Sequence, residues 1–140
     1  PPAELRDARR RALDVMRQRG ETVRLGTAAV RWGDADGFRL ACLALVAENL
    51  GALLAATADR WLANPPPGAA ASPELDLLTS ARALNQRLDP DQADRDLDAI
   101  EARFMAGADA DGQAVTLALA AYFPARRAAR LDPIEALRHE

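Results

Sequence analysis

The longest hydrophobic pattern of the chain lies in residues 38–64. One stripe repeats at alternating intervals of three and four residues, which is the period of an α-helix. It consists of Leu40, Leu43, Ala47, Leu50, Leu54, Thr57 and Trp61. A second stripe on the neighbouring face consists of Phe38, Cys42, Leu45 or Val46, Leu53 and Ala56. Because the two stripes cover more than half of the circumference, they predict one central helix, roughly 39 Å long, that other helices surround.

The position of a residue along this helix suggests its role. Leu50 and Leu54 lie in the middle of the first stripe, so we expect them in the core, where truncation to Ala would cost ~2–5 kcal/mol. Leu40, Leu43 and Trp61 lie toward the two ends, where flanking helices run out. We therefore expect these three residues to contact a second copy of the chain or a partner helix. The alternative for Trp61 is that its ring closes the end of the bundle.

Two further helices are predicted before this segment. Residues 3–19 form an amphipathic pattern that stops at Gly20. Residues 21–32 alternate in part like a strand, but Leu25, Ala28 and Trp32 fall on one helical face, which favours a helix. The turn that follows carries Asp34, a residue type that caps helix N-termini.

The second half of the chain contains similar start signals. Residues 64–72 include three consecutive prolines and predict an exposed, partly extended connection. Ser72 with Pro73, and later Asp89 with Pro90, match an N-cap followed by proline at the first helical position. The apolar residues that follow have helical spacing: Leu77, Ala81, Leu84 and Leu88, then Ala93, Leu97, Ile100 and Phe104.

These patterns predict an all-α, single-domain helical bundle of about five to six helices around one long central helix. The domain spans residues 1–140, with a first helical half at 1–64, the connection at 65–72 and a second helical half at 73–140. Composition supports the fold class, because the chain is 49% hydrophobic, mostly Ala and Leu, and only 4% aromatic. A chain of 140 residues is long enough to bury a core without disulfides.

Few side chains are suited to catalysis. All 18 basic residues are Arg, which excludes a Schiff-base lysine and a phosphate-loop lysine. The single cysteine, Cys42, lies in the apolar pattern and is expected to be buried, and the single histidine, His139, is the penultimate residue. The net charge of -3 gives no overall attraction for nucleic acid. We therefore expect a protein that is not an enzyme, has no cofactor and does not bind nucleic acid.

Carboxylate clusters offer weak metal candidates. Asp34 and Asp109 begin similar Asp-x-Asp-Gly stretches. Neither has the further oxygen ligands of a calcium loop, so capping explains both better. A third candidate, on one face of a predicted helix, comprises Asp94, Asp98 and Glu101. Interleaved arginines indicate a solvated surface there, and no metal site is predicted.

The C-terminal tail carries the most specific motif. Pro124 ends an apolar run, and Asp132 with Pro133 predicts a final helical turn whose small apolar face contains Ile134 and Leu137. The motif residues are Pro124, Ala125, Ala128, Ala129, Asp132, Pro133, Ala136, Leu137, Arg138 and Glu140.

This tail resembles the C-terminus of FtsX-like permeases, the membrane subunits of ABC transporters of the macrolide-export and lipoprotein-release type. The resemblance covers about the last eighth of the chain. It implies a bacterial protein whose cytoplasmic tail lies near a membrane and a nucleotide-hydrolysing partner, with Arg126, Arg127 and Arg130 on the cytoplasmic side. The apolar run before Pro124 is about half as long as a membrane span, so no span is predicted.

Two functions follow from these patterns. The first is a non-enzymatic, cytoplasmic binding or adaptor module that engages a protein or peptide partner, or a second copy of itself, through apolar helix faces. The alternative is a soluble fragment or relative of an ABC transporter permease subunit near a membrane.

Overall fold

Seven α-helices occur in residues 2–86 and 89–122, the part of the chain that the computed structural model describes. They are α1 (Ala3–Gln18), α2 (Thr22–Trp32), α3 (Ala35–Glu48), α4 (Ala55–Ala63), α5 (Pro73–Asn85), α6 (Pro90–Ala106) and α7 (Ala110–Ala121). No strand occurs in these residues, and the predicted all-α bundle is confirmed.

Four of the helices, α3, α5, α6 and α7, begin where the capping residues predict. In each case a side-chain oxygen accepts a hydrogen bond from a backbone N–H in the first turn, which otherwise has no partner within the helix. The acceptors and donors are Asp34 with Gly37 at 2.8 Å, Ser72 with Leu75 at 3.3 Å, Asp89 with Asp91 at 3.0 Å and Gln92 at 3.2 Å, and Asp109 with Gly112 at 2.9 Å. The two Asp-x-Asp-Gly stretches thus act as helix starts.

The prediction of one long central helix is wrong, because the chain leaves the helical path between α3 and α4. Asn49 adopts φ -134° and ψ 46°, and its side-chain amide donates to the Leu45 carbonyl at 2.9 Å, satisfying an acceptor at the helix end. Beyond the break, the Leu53 N–H donates to Asn85 Oδ1 at 3.1 Å. Two asparagine side chains therefore hold a turn in place of continuous helix.

The break also changes which stripe is buried. The second stripe faces the core, since Phe38, Cys42 and Leu45 are fully buried where α2, α5 and α7 pack on α3. In the first stripe Leu50 is half-buried and Leu54 is 44% exposed. The expectation that both lie in the core is wrong, because the turn after Glu48 carries them out of the helical register.

One hydrophobic cluster joins the two halves of the chain. It includes Phe38 and Trp61 from the first half and Leu77, Phe104 and Leu119 from the second. The connection between the halves contributes as well, since Pro66, Ala69 and Ser72 are buried, although most of its other residues are exposed as predicted. The Ser72 hydroxyl donates to the Ala69 carbonyl at 2.7 Å, which stabilises this connection as a compact turn.

Candidate functional site

The structure separates the three residues of the central segment that were predicted to bind a partner. Leu40 is 42% exposed and Leu43 is half-buried, whereas Trp61 is only 2% exposed. The Trp61 ring packs against Phe38 with centroids 6.2 Å apart, and it lies so close to Gly26 that a Cβ there would overlap the indole. Trp61 therefore fills the core between α2, α3 and α4. Its predicted place on an uncovered strip is wrong.

Leu40 lies in a long groove on the outer face of α3. Three neighbouring depressions form this groove, with volumes of about 300, 260 and 460 Å³. Leu40 and Arg17 line the first and the second depression, while Ala47 and Glu48 line the second and the third. The shared side chains make the path continuous from Asp36 to Tyr122. We call it the α3 groove.

The floor of the middle of the α3 groove is apolar. Leu40, Leu43, Ala44 and Ala47 line it from α3, and Val115 lines it from α7. The α3 positions recur at intervals of three, one and three residues, which is the spacing of a single helical face. A second helix can pack against such a face with its own apolar residues between these side chains.

Charged groups are distributed unevenly along the α3 groove. Glu48 lies toward the Tyr122 end, and no ion pair to it is found among the described residues; its Oε1 instead accepts a hydrogen bond from the Thr22 hydroxyl at 2.7 Å. The opposite end has both signs, with Arg10 and Arg17 close to Asp14 and Asp34. Glu48 therefore lies between the middle and the Tyr122 end, Arg17 and Glu21 line the middle beside its apolar floor, and the other end carries both signs of charge.

Another exposed leucine lies outside this groove. Leu117 on α7 is 48% exposed, close to the value for Leu40, but it lines none of the three depressions. The two leucines differ mainly in whether other apolar side chains surround them in a concave surface. Leu117 is therefore a suitable control for Leu40.

A separate cavity of about 270 Å³ lies between α5 and α6. Its charged groups already have partners within the protein. Arg103 pairs with Asp76 and also donates to the Ala71 carbonyl, and Asp96 accepts from the Gln92 side chain at 2.8 Å. A ligand would have to displace these contacts, so this cavity is less suited to binding than the α3 groove.

The thiol of Cys42 has the properties of a buried structural residue. It is fully buried, and burial, with a smaller effect from the Glu74 carboxylate, raises its pKa far above the ordinary range. The thiol is therefore protonated at neutral pH and a poor nucleophile. Within residues 2–86 and 89–122, no group of three or more His, Cys, Asp or Glu side chains is arranged to hold a metal ion.

The tail residues predicted to bind a partner, Arg126, Arg127 and Arg130, lie outside the described residues, as does the tail that resembles FtsX-like permeases. Of the helices that the structure describes, none combines the length and the apolar character that crossing a membrane requires.

The sequence pattern identified Leu40 and Leu43 but missed Val115, Ala44 and Glu48. A signal for Val115 was present, since Leu117 and Ala118 follow within three residues and leave α7 apolar on more than one face. Comparison of the chain with protein-family models, with curated proteins and with solved structures finds no match.

Proposed function

We propose that this protein is a helical binding module that accepts an amphipathic helix of a partner protein in the α3 groove. The observation that carries the proposal is the exposed apolar face of Leu40, Leu43, Ala44 and Ala47, which Val115 borders in a continuous concave surface. Helix-in-groove recognition uses apolar residues of the incoming helix at positions i, i+3 or i+4, and i+7, and this face has the matching spacing.

The size of the surface indicates a moderate affinity. Each large apolar side chain that becomes fully buried contributes about 1.5–3 kcal/mol. Association costs at least about 4 kcal/mol of translational and rotational freedom. Three or four buried leucines on the partner would then give a dissociation constant no tighter than about micromolar. Such an affinity is appropriate for an adaptor that binds and releases its partner.

The charges suggest which helix binds best. Glu48 at the Tyr122 end favours a partner helix with a basic residue at that end, because like charges there would repel each other. The mixed charges around Asp14 and Arg17 at the other end give no strong preference.

A synthetic helical peptide tests the proposal. The probe has leucines at helical spacing and arginines at one end, and its twin carries glutamates in place of the arginines. We expect the full chain to bind the arginine peptide in fluorescence anisotropy and to bind the glutamate twin more weakly.

Leu40→Glu should weaken binding at least about tenfold, since a carboxylate would be buried against apolar side chains. Leu117→Glu adds the same charge outside the groove and should leave the affinity within about twofold. Equal losses in both variants would overturn the proposal.

The second proposed function, a relative or fragment of an ABC transporter permease subunit, depends on the motif in residues 124–140. In that case an ABC-type ATPase should be retained by the immobilised chain, and replacing Arg126, Arg127 and Arg130 by Gln should release it. An ATPase that is not retained by the unaltered chain would count against this function.

A further inference from the structure

We propose that residues 131–140 of this chain occupy the α3 groove and compete there with the partner helix. The competition rests on the proposed function, whereas the docking itself depends only on the groove and on the tail that follows Tyr122.

The first argument is where the described part of the chain ends. Tyr122, its last residue, lines the depression at one end of the α3 groove together with Ala47 and Glu48. The Tyr122 ring lies against Gly51, where a Cβ would overlap it, so the exit point of the chain is fixed beside the groove. Pro124 follows after one residue and disfavours a straight continuation of α7.

The second argument is reach. The path from Glu48 to Leu40 along α3 is about 12 Å at 1.5 Å per residue. Residues 123–130 can extend to roughly 26 Å at 3.3 Å per residue. The connection is therefore long enough to bring residues 131–140 over the apolar floor, and the tail would run back along α3 toward Asp36.

The third argument is the order of charges. Arg126, Arg127 and Arg130 come first in the tail and would pass Glu48 toward the Tyr122 end of the groove. The apolar residues come next, with Leu131 just before the predicted cap Asp132, and Ile134 and Leu137 at a spacing of three on one predicted helical face. Arg138 and Glu140 come last and would reach the end of the groove where both signs occur. Charge and hydrophobicity thus change in the same order along the tail and along the groove.

A segment of the same chain also has a concentration advantage over other occupants. Attachment through a short segment of the same chain gives an effective concentration of about a millimolar, well above that of a second copy or a free partner in a typical experiment. Docking in cis would therefore reduce the measured affinity for an external helix.

A paramagnetic label on the tail tests the docking. His139→Cys introduces a second thiol for labelling, and Cys42 is buried and does not compete for the label. We expect the labelled full chain to show broadened NMR amide signals for Leu43 and Ala44, and unchanged signals for Asp98 on α6. Adding Ile134→Asp/Leu137→Asp should restore the sharp signals. Docking would be refuted if the amide signals of Leu43 and Ala44 stayed sharp. It would also be refuted if these signals broadened only when spin-labelled chain was mixed with isotope-enriched chain that carries no spin label, since that result indicates contact with a second copy.

The arginine peptide tests the competition. In the full chain, Ile134→Asp/Leu137→Asp should tighten peptide binding by about fivefold or more. Ala136→Asp/His139→Asp adds the same number of carboxylates on the opposite face of the predicted helix and should not tighten it. Equal affinities in all three chains would overturn the competition and leave the proposed function intact. Paramagnetic broadening together with no peptide binding, even to the Ile134→Asp/Leu137→Asp chain, would overturn the proposed function and leave the docking intact.

Discussion

Thr22 and Glu48 join the first residue of α2 to the last residue of α3, and the Thr22 hydroxyl donates to Glu48 Oε1 at 2.7 Å. Both side chains also line the middle of the α3 groove. The bond holds the groove wall at the position where the chain turns away from α3, so it connects the shape of the surface to the stability of the fold.

Replacing Thr22 with Val should lower the free energy of unfolding by about 1 kcal/mol, because Val keeps the shape and removes the donor. Thr27→Val on the exposed side of α2 is the control and should change the free energy of unfolding by less than about 0.5 kcal/mol. Urea unfolding followed by circular dichroism measures both values. Equal changes would mean that the Thr22 hydroxyl contributes nothing.

Gly26→Ala should destabilise the protein by ~1–3 kcal/mol, because the new methyl group would overlap the Trp61 ring. Helix propensity alone predicts the opposite, a gain of about 1 kcal/mol for replacing Gly inside a helix. The sign of the change in denaturant unfolding therefore decides between the two effects. In a Trp61→Leu background the cost of Gly26→Ala should fall, and a purely additive double variant would contradict the packing explanation.

Two leucines of the central segment should respond very differently to truncation. Leu45→Ala removes a fully buried side chain and should cost ~2–5 kcal/mol, whereas Leu54→Ala removes one that is 44% exposed and should cost less than about 1 kcal/mol. Denaturant unfolding of the two variants side by side provides the measurement. A larger loss for Leu54→Ala than for Leu45→Ala would contradict an exposed Leu54 beyond the turn between α3 and α4.

Stability should decrease at alkaline pH because of Cys42. Burial raises the pKa of this thiol in the folded state, whereas the unfolded chain ionises near the ordinary value of 9.0. The stability contributed by the buried, protonated thiol is fully present below pH 9.0. As the pH rises above 9.0, the free energy of unfolding falls by up to about 1.4 kcal/mol per pH unit. Cys42→Ala should show a shallower fall in the free energy of unfolding over the same pH range. Identical slopes would mean that other groups cause the decrease.

The sequence predicted the helix starts well because capping is local chemistry. Asp34, Ser72, Asp89 and Asp109 each act on backbone groups two or three residues away. The break after Glu48 was not predicted, because it depends in part on Asn85, more than thirty residues away, which accepts from the Leu53 N–H. Leu50, Leu53 and Leu54 keep the helical spacing of the apolar pattern through the break, so the pattern does not indicate the turn.

The candidate site was predictable only in part. Leu40 and Leu43 stood out because they belong to a regular stripe, but a stripe does not show which of its members will be covered by other helices. Trp61 was assigned to an uncovered strip because it lies toward one end of the predicted central helix, with closure of the bundle end as the alternative. Val115 reaches the groove only because α7 packs beside α3, a long-range contact that no local pattern specifies.

Opposite faces of α3 have different surroundings, so substitutions on the two faces have different effects on the protein. Phe38, Cys42 and Leu45 face the core, while Leu40 and Leu43 border the groove. Substitutions at Leu40 change the shape and charge of the groove without leaving a void among the buried side chains, whereas Leu43 also packs against the core. If the proposed function holds, mutation at Leu40 would alter partner choice while the scaffold is retained, so that variants of this chain would differ in specificity at little cost to folding.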